Sequence, residues 1–134
     1  DACCGSGALG LEAISRGATH AYFLDTHQEA LKLARKNADL LREAARCTFI
    51  PADVSRPPTA SRPCDLLLLD PPYQSDLAGR ALAALTQTGW ATPAALATVE
   101  VARTDPFTAP DGWTILQERI HGAARLILLE RSPG

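Results

Sequence analysis

Asp70, Pro71, Pro72 and Tyr73 follow directly on the four leucines Leu66 to Leu69, and their types suit one kind of chemistry. An exocyclic amine on a nucleic-acid base is a poor nucleophile, because its lone pair is delocalised into the ring. The Asp70 carboxylate and the Pro71 carbonyl can each accept one amine hydrogen, which leaves the lone pair aimed along one line at an electrophilic carbon. Pro72 drives Pro71 out of the helical region and both rings fix φ, so the carbonyl is held with no N–H of its own competing. Tyr73 adds a flat ring on which a flipped-out base can stack. The plainer reading is a proline-rich strand exit with Tyr73 at its rim. No separate base is required, since the product nitrogen can lose its proton to Asp70 or to water. His20, His27 and His121 receive no role.

A second group lies at the start of the chain. Gly5, Ser6, Gly7 and Gly10 spell G-S-G-A-L-G, and Asp25 follows where a ribose-binding acid is expected. That match alone also fits a nicotinamide dinucleotide, or a tight turn with no ligand. Glycines let a ligand approach the backbone and leave the amides of a helix start facing it, whether the ligand is a pyrophosphate or an amino-acid carboxylate. Asp1 separates the two, because a carboxylate before the turn attracts an ammonium and repels a pyrophosphate. S-adenosylmethionine carries that ammonium. Asp25 is then expected to accept both ribose hydroxyls and Asp53 to meet the adenine amino group. Each acid taken singly is a common cap or turn residue. Their positions at successive strand ends assign them, with Asp70 to Tyr73, to one cleft at the carboxyl edge of a sheet.

The elements that must hold these residues alternate. Cys4 to Gly10 is a glycine-rich turn leading into a helix to about Arg16, closed by Gly17. His20 to Leu24 reads as a strand, and Thr26 with Glu29 as a capping box opening a helix to about Ala45, with Ala30, Leu31, Ala34, Ala38 and Leu41 on one face. Cys47 to Ile50 is the next strand, and the proline-rich loop Arg56 to Pro63 separates it from Asp65 to Asp70. The unalternated leucines there predict a parallel strand covered on both faces. Ser75 or Asp76 caps a helix through Leu85, Leu96 to Val101 is a strand, and Trp113 to Glu118 with Arg125 to Glu130 forms a hairpin turning near His121 and Gly122. The expected fold is α/β: one domain with a Rossmann-like, doubly wound, mostly parallel sheet and an antiparallel C-terminal hairpin.

Bulk properties agree with one globular domain: 134 residues, 46% hydrophobic, with a formal net charge of -2. Short, interrupted apolar stretches fit neither a membrane span nor a secretory signal, which predicts a cytoplasmic protein with no membrane partner. Cys3, Cys4, Cys47 and Cys64 lack metal-knuckle or redox spacing, so no metal is expected and the thiols read as small packing residues. The mild acidity weighs slightly against a nucleic-acid partner. Asp1 already belongs to a motif, so an upstream segment carrying most of the first strand is expected.

With these residues in place, the chain resembles the RsmD-type bacterial methyltransferases. The likeness runs from Asp1 nearly to Arg131: Asp1 to Gly17 is similar to that family's cofactor loop and first helix, with Cys3 and Cys4 where an aromatic and a small residue are more usual. Asp25, Asp53 and Asp70 to Tyr73 match its acidic and catalytic positions, His27 replaces a frequent second acid, and Gly89 to Glu100, with Trp90 and the Val99–Glu100 pair, resembles the stretch leading into its fifth strand. The resemblance implies S-adenosylmethionine-dependent methylation of guanine N2 in 16S ribosomal RNA, at guanine 966, by a monomer whose partner is ribosomal RNA or the small ribosomal subunit. The family's N-terminal basic segment is absent from this sequence. The catalytic tetrapeptide is shared with adenine-N6 methyltransferases. An NAD-dependent oxidoreductase and a catalytically silent RNA-binding module are the alternatives of other classes.

Overall fold

The structure is a computed structural model describing residues 1–73 and 75–132, and the chain falls into two compact units, Asp1–Val54 and Ser55–Gly134. In the first unit, helix α1 (Ala8–Ser15) follows the glycine turn and closes at Arg16, with Gly17 at the left-handed φ of 113° that ends many helices. Strand β1 (Ala21–Asp25) pairs in parallel with β2 (Cys47–Pro51). Ala2 makes an isolated parallel bridge to Leu24, so the residues before the glycine turn run alongside β1. Helix α2 (Gln28–Leu40) sets Leu31, Ala34 and Ala38 into a core with Cys4, Leu11 and Phe23.

Two local expectations fail here, each for a local reason. The capping box does not form: His27 is the N-cap without a side-chain cap, and its N–H donates instead to Asp25 Oδ1 at 2.9 Å. Glu29 accepts from Lys32. The helix also stops at Leu40 rather than Ala45, because Arg42 takes a left-handed φ of 59° and the Glu43 N–H bonds back to the Ala38 carbonyl. That closure normally belongs to glycine. Leu41, expected on the buried face, is consequently exposed.

Gly10 is required by packing. A Cβ there would stand 2.4 Å from Phe23 Cε1 and 2.8 Å from Cζ, and Phe23 is fully buried and stacked on Phe49. Gly10→Ala is therefore expected to destabilise the protein by about 1–3 kcal/mol, the usual cost of overpacking. Denaturant unfolding checks this: the midpoint should fall with an unchanged m-value.

The second unit is built on β3 (Cys64–Leu69) and β4 (Ala91–Ala102), parallel and joined through helix α3 (Leu77–Gln87). Strands β5 (Trp113–His121) and β6 (Ala124–Arg131) form the expected hairpin, turning through Gly122 at φ 60°. The order is β3-β4-β6-β5, so β6 inserts antiparallel beside β4. Helix α3 buries Ala81, Leu82 and Leu85, packs against β4, and is tied to β5 by the Trp113 indole N–H donating to Thr86 Oγ1 at 2.9 Å. Asp76 sits at the α3 N-cap but directs its carboxylate to Arg80. The expectation that β3 is covered on both faces is corrected: Leu67 and Leu69 are buried, whereas Leu66 is 41% exposed. Across the described strands two pairings are parallel and two antiparallel, so the sheet structure is mixed. Among the described residues no helix is long and apolar enough to cross a membrane.

Candidate functional site

The first unit gathers the glycine turn and two of its acids. Gly5 and Gly7 adopt left-handed φ of 52° and 83°, and Cys3, without glycine's freedom, adopts 61°. Gly7 is also needed because a Cβ would reach Ala34 Cβ of α2 at 3.0 Å, whereas a Cβ on Gly5 would meet nothing within 4 Å. Gly5 thus leaves room for a ligand against the turn, while Gly7 and Gly10 serve close packing. Exposed Ser6 is anchored through its carbonyl, which accepts from Asn37 Nδ2 at 2.9 Å. Neighbouring Cys4 is buried, which pushes its thiol up to about 11, and it acts as a packing residue.

Asp1 Oδ2 accepts the Gly10 N–H at 2.9 Å, placing a carboxylate at the start of α1. Asp25, at the end of β1, ties the turn to the strand: Oδ2 accepts the Gly5 N–H at 3.0 Å, and Oδ1 meets the His27 N–H at 2.9 Å and His27 Nδ1 at 3.2 Å. Burial works to raise the Asp25 pKa, but the His27 and Gly5 N–H groups and the His27 ring outweigh it and hold the carboxyl below its ordinary value. Asp53 is exposed two residues past the end of β2, where the Ala52 N–H donates to the Asp25 carbonyl and keeps the two strand ends adjacent.

The second unit holds the tetrapeptide. Asp70 follows β3 directly, Pro71 is buried, and Pro72 and Tyr73 are exposed. The Pro72 carbonyl accepts from Ser75 Oγ at 2.9 Å, which closes the turn after the prolines. Asp70 is itself exposed; partial desolvation, then the charge of Glu100 and hydrogen bonding with it, push its carboxyl up to about 6. The Tyr73 hydroxyl donates to Glu100 Oε2 at 3.1 Å. Its pKa is raised by desolvation, by that bond, and by the charges of Glu100, Asp70 and Asp105.

Two participants are not evident from the residue pattern. His27, given no role, touches Asp25; Glu100, noted only as one of a Val–Glu pair, joins Asp70 and Tyr73. The signal for Glu100 lies in two apolar strands, one followed by an acid and the other carrying one near its end, but the pairing register that brings the acids level is not written in either strand alone. Among the described residues no group of three or more His, Cys, Asp or Glu is arranged to hold a metal ion.

A family profile described as Conserved hypothetical protein 95 matches residues 1–130. The ribosomal RNA small subunit methyltransferase D of Haemophilus influenzae is 32% identical over 126 residues, which cover 91% of this chain and 65% of that protein. The Escherichia coli protein of the same name is 28% identical over 132 residues, covering 98% and 67%. The chain thus spans about two thirds of the length of these relatives. A crystal structure of a Haemophilus influenzae protein, named only as a methylase, matches with a TM-score of 0.83 and 30% identity over 96% of this chain and 83% of that one. The Rossmann-like methyltransferase fold expected from the sequence is therefore the fold of this chain.

Proposed function

The chain belongs to the family described as Conserved hypothetical protein 95, that of the RsmD-type methyltransferases, and on that premise we propose that it methylates the exocyclic N2 of a guanine in small-subunit ribosomal RNA, using S-adenosylmethionine. The observation that carries the reading is the Asp70–Tyr73 segment at the end of β3, with a raised carboxyl beside a carbonyl and a flat ring. The tetrapeptide serves guanine N2 and adenine N6 alike. The choice of ribosomal RNA follows the names of the relatives, and guanine N2 follows the likeness along the chain. A cytoplasmic location is part of the same proposal.

In this reading Asp1, Gly5, Ser6, Gly7, Asp25 and Asp53 hold the cofactor, and Asp70, Pro71, Pro72 and Tyr73 hold the base. The open space at Gly5 fits a ligand against the turn. A carboxylate offers about four acceptor sites, so the anchoring bonds of Asp1 and Asp25 are compatible with a ligand ammonium and ribose hydroxyls. When bound, the cofactor supplies a sulfonium-activated methyl carbon. Asp70 and the Pro71 carbonyl take the two amine hydrogens and aim the lone pair; Tyr73 stacks on the base; Asp70 receives the proton the nitrogen gives up on methylation.

The G-S-G-A-L-G match keeps a nicotinamide dinucleotide as the competing ligand, and thermal melting separates the two. S-adenosylmethionine at 100 times its Kd should stabilise the protein by about 2.7 kcal/mol, with no effect of NAD. Stabilisation by NAD alone would reverse the assignment.

A further inference from the structure

The register of β3 and β4 runs Leu68↔Thr98, Leu69↔Val99, which brings Asp70 level with Glu100 at the carboxyl ends of adjacent parallel strands. Like charges directly opposite one another on neighbouring strands repel, and here the charge of Glu100 and hydrogen bonding with it push the Asp70 carboxyl up. The same Glu100 accepts the Tyr73 hydroxyl at 3.1 Å. On the other side of β4 the register partner of Glu100 is apolar Leu126 of β6, which in turn is paired with Arg119 of β5. Asp105, beyond β4, adds a further negative charge near Tyr73. Burial and Glu100 are the influences on Asp70, with no cation among them.

We propose that Glu100 is a positioning residue of the base-accepting site: from β4 it holds the Asp70 carboxyl and the Tyr73 hydroxyl in one hydrogen-bonded group, so that the proton acceptor and the stacking ring are set together. The role rests on the methyl-transfer reading above. Two carboxyls in contact do not both ionise cheaply, so the pair retains a proton to higher pH than a lone aspartate. Asp70 is consequently a stronger base when the nitrogen–carbon bond forms, the carbon–sulfur pair passes to sulfur, and the nitrogen releases its proton to the Asp70 carboxylate. Glu100 itself need not touch the substrate.

Glu100→Gln tests this, because the amide keeps the length, can still accept the Tyr73 hydroxyl and donate to Asp70, and removes only the charge. The readouts are the Asp70 carboxyl titration by carbon-13 NMR in the ligand-free protein, and the pH dependence of kcat. The Asp70 midpoint should fall from about 6 toward 3.8, part of the shift persisting through burial. The acid limb of kcat should move down with it, at unchanged KM for the cofactor. A fixed midpoint, or a midpoint that moves while the limb of kcat stays, overturns the proposal. Should the variant not fold, Glu100→Asp replaces it: the shorter side chain withdraws the charge from Asp70, and an Asp70 midpoint that stays where it is in the unmodified protein overturns the proposal. The titration needs neither RNA nor cofactor, so its failure is distinguishable from a failure of the methyl-transfer reading.

Discussion

Asp70→Ala lowers single-turnover methylation at saturating substrates by about 100- to 1,000-fold, the usual effect of removing one aligned transition-state hydrogen bond, and leaves cofactor affinity unchanged. The separation follows from the proposed roles, in which Asp70 meets the target amine and Asp1, the glycine turn, Asp25 and Asp53 hold the cofactor. The same substitution does not weaken the fold at neutral pH. The Asp70 pKa is raised in the folded protein from 3.8 to about 6. Its contribution to stability is therefore complete below 3.8 and lost as pH rises through about 6. Above that range the ionised carboxylate beside Glu100 opposes folding, and removing it relieves the repulsion. Single-turnover rates, calorimetric cofactor affinity and a melting temperature at pH 7 check the three parts. A variant that methylates at the unaltered rate would remove the tetrapeptide from the chemistry.

Asp25→Ala produces the opposite pattern, with a structural cost added. On the proposed role of Asp25 as acceptor for the ribose hydroxyls, cofactor affinity should fall by about 1–3 kcal/mol. Stability falls as well, since Asp25 satisfies the partly buried Gly5 N–H, and stranding such a donor costs about 1–3 kcal/mol, while the exposed His27 N–H can turn to water. The sign with pH is reversed relative to Asp70: the Asp25 pKa is lowered, so its stabilisation is present above 3.8 and disappears as pH falls through the folded value. The difference in unfolding free energy between the original protein and the variant should accordingly shrink in acid. Once the variant is saturated with cofactor, turnover should be close to normal. A variant with normal affinity but slow turnover would assign Asp25 to the chemical step instead.

The two groups differ in how far the amino-acid pattern reveals them. The glycine turn and the Asp70–Tyr73 segment are legible because their chemistry is local: left-handed glycines, consecutive prolines and an acid after an apolar strand announce themselves within a few residues. Most strands and all three helices are found for the same reason. What escaped depends either on local competition for the same backbone groups or on partners distant in sequence. The Thr26 box is displaced because the Asp25 carboxylate reaches the His27 N–H first. The α2 terminus is hidden because Arg42, not glycine, takes the left-handed position. Continuous leucines in β3 read as burial on both faces, although Leu66 remains exposed. Glu100 gains its place only from the β3–β4 register.

Methyl transfer to a guanine nitrogen is tested most directly by incubating the protein with S-adenosylmethionine labelled in its methyl group and small-subunit ribosomal RNA, digesting the product and identifying the labelled nucleoside. Label is expected on N2-methylguanosine, at one position in the RNA. Label on N6-methyladenosine would contradict the assigned base, and unlabelled RNA in the presence of demonstrably bound cofactor would contradict the assigned activity.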